Sequence, residues 1–178
     1  MTWRDELLAS DRQAVLELVS STGFFSEDEQ RIAVELVDEA LVHGAASGYE
    51  FIFADAPGGE AGLHGYACFG PIPARPGEFD LYWIAVSPQY QRHGLGRELI
   101  AEAERRMRAQ GAASIFIDTS GREQYRPTRG FYERAGYDVH EVVRDFYAPG
   151  DDKVVYRKMV RAAPTAEPAS LAFREGHR

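Results

Sequence analysis

Cysteine is nearly absent. Cys68 stands alone, which excludes an internal disulfide framework and any metal site built from clustered thiolates. Lysine is almost as scarce: Lys153 and Lys158 are the two lysines among 20 basic residues, so arginine, whose forked donors suit phosphate, carries the positive charge. Long apolar runs are missing too. The longest uncharged stretch, Ala61 to Ala74, has 14 residues and is broken by glycine and proline, whereas a spanning helix needs about 20 apolar residues. Arg4, Asp5 and Glu6 interrupt the start of the chain where a secretory signal would be apolar. The five histidines, His43, His64, His93, His140 and His177, show no metal-ligand spacing, so no metal is expected. These absences lead to the expectation of a cytoplasmic protein that neither crosses nor binds a membrane.

What is present is the balance of a globular chain: 178 residues, 44% hydrophobic and 27% charged. One domain over residues 1–160 is expected, followed from Arg161 by an Ala-, Pro-, Thr- and Glu-rich stretch without periodicity that reads as a flexible tail. The net charge of −8 argues against nucleic acid as a partner. Its distribution is uneven, because residues 1–60 hold 13 acids against 3 arginines while the remainder is slightly basic. Such a chain could hold a polyanion on one side and attract cations on the other, or the acids could simply solvate helix faces.

Local patterns place the elements. Ser10 or Asp11 caps a helix through Val15, Leu18 and Val19, stopped at Gly23. Ser26 with Glu29 forms a capping-box pattern, opening a helix that places Ile32, Ala33, Leu36, Val37, Ala40 and Leu41 on one face. Strands are expected at 50–55 and 64–69, joined through Pro57-Gly58-Gly59, and at 79–86. A helix at 94–110 repeats Leu95, Leu99, Ala103 and Met107 at i+4. A strand at 114–119, a short helix begun at Pro127 and ended by Gly136, and strands at 139–146 and 154–160 complete the chain. Hairpins mixed with one strand–helix–strand unit make the class α/β with a mixed sheet.

The chemistry concentrates in Asp80-Leu-Tyr-Trp-Ile-Ala-Val-Ser-Pro-Gln-Tyr-Gln91-Arg-His-Gly94-Leu-Gly96-Arg. A strand runs through a short turn into a helix whose first turn contains two glycines. The first N–H groups of a helix lack internal partners and lie at its positive end, so they suit an anion such as phosphate. Arg92, His93 and Arg97 could add side-chain donors. The dinucleotide fingerprint would need a third glycine where Leu99 stands, and the P-loop Gly-Lys-Ser/Thr is absent. A second segment reads Tyr125-Arg-Pro-Thr-Arg-Gly-Phe131-Tyr132-Glu-Arg-Ala-Gly136-Tyr137.

Taken together, Gln91-x-x-Gly94-x-Gly96 after Ile84-Ala85-Val86, with Phe-Tyr-Glu-x-x-Gly-Tyr some forty residues on, resembles the GNAT superfamily of N-acetyltransferases over about residues 50–159. The Tyr-x-Pro-Thr-Arg-x-Phe-Tyr-Glu string is similar to a variant common among bacterial members. The resemblance implies a mixed, mostly antiparallel central sheet flanked by helices, with acetyl-CoA as cosubstrate and an amine as acceptor. It implies that main-chain N–H groups of Gln91, Arg92, His93, Gly94, Leu95, Gly96 and Arg97 bind the pyrophosphate. The backbone of Ile84, Ala85 and Val86 would pair with the pantetheine arm. Many members have asparagine where Tyr125 stands, so this chain departs from the pattern at a pantetheine-contacting position.

For catalysis, the resemblance puts Tyr132 opposite the sulfur. Free tyrosine titrates near ~10 and a thiol near ~8.5, so full proton transfer is uphill by about 2 kcal/mol, whereas a hydrogen bond to the developing thiolate is not. Tyr132 could otherwise be packing for the short helix. Asp80, at a strand position where some members carry a glutamate, and Asp118 are the candidate general bases; a structural role for either is equally open. Cys68 reads as a small core residue. Tyr82, Trp83, Phe24 and Phe25 could line an acceptor pocket, with core packing the plainer reading. Glu35, Asp38 and Glu39 either draw in a cationic amine or form a solvated face. The expected activity is acetyl transfer to a primary amine, on a small molecule first and on a protein N-terminus or lysine second. A catalytically silent acyl-CoA-binding module is the alternative from another class, and a homodimer is allowed.

Overall fold

Seven segments pair into one sheet in the computed structural model, which describes residues 3–55 and 62–160. The strands are β1 (Trp3–Arg4), β2 (Glu50–Asp55), β3 (Leu63–Pro71), β4 (Glu78–Val86), β5 (Ser114–Ser120), β6 (Asp138–Ala148) and β7 (Asp151–Met159). Their spatial order is β1-β2-β3-β4-β5-β7-β6, and every neighbouring pair is antiparallel except β4 beside β5. Helices α1 (Asp11–Ser21), α2 (Glu27–His43), α3 (Leu95–Ala109) and α4 (Arg126–Arg134) flank it. The expected mixed α/β class holds. The turn at Pro57-Gly58-Gly59 and the stretch from Arg161 lie outside the described residues.

Two cores sandwich the sheet. Against one face, α3 buries Leu95, Leu99, Ala103 and Met107 as its i+4 spacing requires, together with Phe79, Leu81, Ile115, Ile117 and Tyr132. Against the other, α1 and α2 bury Val15, Leu18, Val19, Val37 and Ala40 over Phe51, Phe53, Tyr66 and Cys68. Cys68 is a core residue, and burial raises its thiol well above the ordinary value.

The structure corrects several local expectations. Helix α2 has the full capping box at Ser26 and Glu29, but its buried stripe is Ala33, Val34, Val37 and Ala40. Ile32 and Leu41 face outward, at 48% and 39% exposure. The small side chains at 33, 37 and 40 are the ones that let α2 sit close against α1 and the sheet. Ser10 is the N-cap of α1 yet makes no capping bond. Strand β7 starts at Asp151 rather than 154, so Pro149 and Gly150 alone separate it from β6. Strand β1 had no signal in the sequence, being too short for a period to show.

What holds β1 is charge. Arg4 forks onto both oxygens of Asp11 at 2.8 Å and onto Asp55 at 2.7 and 2.9 Å, and lies 4.4 Å over the Phe53 ring. Asp11 is buried, with the Leu8 N–H as a further donor at 2.7 Å. Arg4 is thus the counter-charge of a carboxylate that cannot reach water, and the pair joins the start of α1 to the β1–β2 edge. Removing one partner of such a pair strands the other charge. Arg4→Ala should therefore cost about 3 kcal/mol in urea unfolding, whereas Arg12→Ala, at the exposed Arg12–Asp38 pair, should cost under about 1 kcal/mol. Equal losses would show that Asp11 carries no buried charge.

Candidate active site

The site begins where two strands part. Parallel β4 and β5 are in register for three positions only, Glu78 with Ser114, Phe79 with Ile115 and Asp80 with Phe116. Beyond Asp80, β5 stays paired with β7 as far as Ser120, and β4 stays paired with β3 as far as Val86. A bulge gives the physical reason. Trp83 lies opposite Cys68 and Leu81 opposite Phe69, so Tyr82 is an extra residue on β4. An inserted residue bends and twists its strand, here along β3 and away from β5. It also shifts the phase of the strand: Phe79 and Leu81 face α3 before it, and Ile84 and Val86 face α3 after it, leaving Tyr82, Trp83 and Ala85 on the α1/α2 side. The result is a crevice open at the carboxyl ends of two parallel strands, the place where open α/β sheets bind ligands.

One rim of the crevice is the loop into α3. A 3-10 turn, Pro88–Tyr90, follows β4. His64 anchors it, because the Ser87 N–H donates to the His64 carbonyl at 2.8 Å and the two rings of His64 and Tyr90 stack at 3.6 Å. Gln91 folds back, its side-chain N–H donating to the Val86 carbonyl at 3.1 Å. Arg92 and Gly94 both have left-handed backbone, φ 64° and 90°. Gly94 is the N-cap of α3 and offers no side-chain oxygen to the first-turn N–H groups, which therefore face outward as free donors. Arg92, His93 and Arg97 are exposed around them, while Leu95 is a core residue that contributes only backbone. Gly96, in the same first turn, also packs against α4. A Cβ there would lie 3.6 Å from Phe131 and 3.8 Å from Val86, so this glycine faces α4.

Two carboxylates stand near the parting of the strands. Asp80 is half-buried at the last paired position, and burial first, then the nearby Asp118 carboxylate, pushes its pKa up to about 6. Asp118 is more open and ion-paired to Lys153 at 3.2 Å. Tyr132 comes from α4. It is 6% exposed, with Phe131, Tyr137 and Tyr156 rings around it at 5.6, 6.4 and 5.9 Å. Burial raises its phenol well above the usual value. Among the described residues its hydroxyl has no hydrogen-bond partner, and it is not one of the sealed polar atoms that lack one. Tyr132 is thus a core residue with a free donor. Tyr125 is also buried, but its hydroxyl donates to Glu29 on α2 and its ring takes the Arg122 guanidinium at 5.4 Å.

The remaining aromatics divide. Tyr82 packs on Tyr49, and Trp83 on Phe25 at 5.0 Å. Phe24 belongs to neither core and rests on Phe25 and Tyr125. Asp38, Glu35 and Glu39 pair with Arg12, Arg31 and His43 on the outer side of α2 and are a solvated face. The residue that sequence reasoning missed is Glu29, seen only as a cap; nothing local signals a contact 96 residues away in the chain. Lys153, the counter-charge of Asp118, was missed for the same reason. No cluster of metal-binding side chains exists among the described residues, and no helix there is long and apolar enough to cross a membrane.

The chain is thus a mixed sheet split at its parallel pair, with a glycine-capped helix start at one rim. Residues 14–137 match the acetyltransferase (GNAT) family, and the chain belongs to that family. A crystal structure of a GNAT-family acetyltransferase from Desulfovibrio desulfuricans is similar at 49% identity, over 89% of this chain and 98% of that one, with a TM-score of 0.84. A coenzyme A complex of an N-acetyltransferase from Thermoplasma acidophilum shares the fold at 18% identity, covering 90% and 100% of the two chains, with a TM-score of 0.66. Among curated proteins, the ribosomal protein bS18-alanine N-acetyltransferase of Escherichia coli is 30% identical over 76 residues, 43% of this chain and 50% of that one. The chain thus matches about half the length of that relative.

The cradle can be tested by paired substitutions. Gly94 and Gly111 begin and follow α3 with the same φ, 90° and 89°, and a Cβ would meet open or ordinary space at both. Alanine at either should cost about 1 kcal/mol of backbone strain. Gly94→Ala should also weaken coenzyme A binding at least tenfold in calorimetry, and Gly111→Ala should not. Equal affinities would separate the α3 N-terminus from phosphate binding.

Proposed function

We propose that this enzyme transfers the acetyl group of acetyl-CoA to a primary amine of a small molecule, by direct attack in a ternary complex. The observation that carries the reading is Asp80 at the head of the crevice, poised near pH 6 where the two strands separate. The cradle fits the donor: free first-turn N–H groups from Gly94 to Arg97, with arginines around them, hold a pyrophosphate. The backbone of Ile84, Ala85 and Val86, on the β5-facing edge of β4 with no strand beside it, pairs with the pantetheine amides and polarises the carbonyl. Tyr125 contributes its ring to the wall rather than its hydroxyl to acetyl-CoA, since that hydroxyl donates its hydrogen bond to Glu29.

Asp80 acts as general base. An ammonium must lose a proton before its nitrogen can attack, and a carboxylate with a raised pKa in a half-buried position accepts it better than an exposed one. Asp118 keeps Asp80 basic by like-charge proximity and is itself neutralised by Lys153, so we assign it a positioning role. As the new C–N bond forms and the C–S bond breaks, the electron pair collects on sulfur. Tyr132 donates a hydrogen bond to it; its raised pKa makes that donation, rather than outright proton transfer, the contribution. Buried Cys68 holds its proton, which supports direct attack over a covalent relay through that thiol.

Two variants test the roles. In the wild type, turnover should rise with pH through about 6 as Asp80 deprotonates. Asp80→Asn should lower turnover by at least tenfold and abolish that limb. The same shift has a stability consequence. Because the folded pKa lies above the unfolded one, the folded state holds the proton more tightly, so Asp80's contribution to stability is present below about pH 4 and is lost as pH rises through about 6. Asp80→Asn should remove that fall from the urea midpoint measured across the same window. An unchanged acidic limb would eliminate Asp80 as the base. Tyr132→Phe keeps the ring in its cluster and deletes the donor, so turnover should drop roughly ten- to a thousandfold with coenzyme A affinity little changed. Normal turnover with chemistry rate-limiting would reduce Tyr132 to packing.

A further inference from the structure

The turn between α1 and α2 does more than reverse the chain. From Gly23 it carries Phe24 and Phe25 onto the crevice, where an unbroken chain of rings runs from one wall to the other. Trp83 of β4 touches Phe25 at 5.0 Å, Phe25 touches Phe24 at 5.2 Å, and Phe24 meets Tyr125 edge-on at 4.7 Å. Tyr125 lies in the connection from β5 to α4, so the rings span the gap that β4 and β5 leave between them. Phe24 belongs to neither core and is half-buried, with the Phe25 and Tyr125 rings against it. The opposite face of the crevice is filled by α3, α4 and their core, and the phosphate cradle occupies the α3 end. An acceptor bound for Asp80 is therefore left the α1/α2 face, under this bridge.

One carboxylate fastens it. Glu29 accepts the Ser26 N–H through one oxygen at 2.7 Å, as the third helical residue of α2 should, and accepts the Tyr125 hydroxyl through the other. Capping and bridging share the same side chain, so the turn cannot lift from Tyr125 without releasing a hydrogen bond to a charged group. We propose that Glu29 and Tyr125 form a latch that holds the Phe24-Phe25 turn closed over the crevice, and that the closed latch restricts the acceptor to small primary amines and excludes extended polypeptide. This rests on the acetyl-transfer reading above and names the substrate class of the same site. A bridge of aromatic rings over a gap headed by Asp80, with Asp118 near it, suits an ammonium carried on an apolar body, by cation–π contact as well as by charge.

Tyr125→Phe removes the latch and keeps every ring, and Phe24→Leu shortens the bridge while leaving the hydroxyl. Each variant is compared with wild type for acetylation of three small amines (an arylalkylamine, a diamine and an amino sugar) and of a hexapeptide with a free N-terminus, alongside coenzyme A affinity and melting temperature. Wild type should acetylate at least one small amine and leave the peptide essentially untouched. Both variants should raise the small-amine KM three- to tenfold, by more than kcat falls, and should increase peptide acetylation at least tenfold, with coenzyme A affinity within threefold. Acceptor KM and peptide rates indistinguishable from wild type in both folded variants would overturn the latch while leaving small-amine transfer intact. A wild type that acetylates the hexapeptide as well as its best small amine would overturn the size restriction and the small-molecule reading together. A tenfold loss of coenzyme A affinity in Tyr125→Phe would place that hydroxyl on the donor and also overturn the latch.

Discussion

The parting of β4 from β5 after three paired residues is the constraint on which the rest of this molecule depends. A sheet interior is normally closed by its own hydrogen bonds, and opening one leaves backbone donors and acceptors that must be satisfied by something else. Here the opening is produced by one extra residue, Tyr82, and it delivers three things at once: a free strand edge on β4, a half-buried carboxylate at its head, and a turn into a helix whose first N–H groups are bare. The core on the α3 side does not suffer, because the same bulge returns Ile84 and Val86 to the face that Phe79 and Leu81 occupy before it.

An open crevice needs stiff walls, and these are held by charge placed at the joints. Lys158 of β7 donates to both oxygens of buried Glu104 on α3 and to the Ala135 carbonyl at the end of α4, each at 2.8 Å. Strand, long helix and short helix are thereby joined at one ammonium, directly behind the ring cluster that seats Tyr132. On the other face, Arg4 joins β1, β2 and the start of α1. Both pairs are largely shielded from water, where breaking them is costly and geometry is narrowly defined. Exposed pairs such as Arg31–Asp28 add little by comparison. The scarcity of lysine gives Lys158 added weight: one of the chain's two lysines is spent at this joint, and the other, Lys153, neutralises Asp118 beside the site.

Much of this was legible in the residue order. The i+4 register of Leu95, Leu99, Ala103 and Met107, the Ser26–Glu29 capping box and the glycine stops are local, and local physics decides them. So is the glycine-capped start of α3 at Gly94, because a strand, a tight turn and the helix are adjacent in the chain. The face of α2 was misread at Ile32 and Leu41 because periodicity reports which residues are apolar, and the helix was free to bury its smallest side chains instead. At Gly96 the sequence shows that a Cβ is missing but cannot show what stands opposite it, which is Phe131.

The sequence by itself determined most of the elements and the two motif segments, which are set by spacings of a few residues, and through their resemblance to a family it implied the acyl donor. It also placed Asp80 on β4, Asp118 on β5 and Tyr132 on α4. Only the tertiary structure decided what those groups can do. Asp80 differs from Asp118 because one is buried at the parting of two strands and the other faces Lys153 across the sheet. Tyr125 differs from Tyr132 because Glu29, far away in the chain, reaches one hydroxyl and not the other. Burial, like-charge proximity and hydrogen bonds between distant segments depend on distances in space, and those distances exist only once the two cores have closed on the sheet.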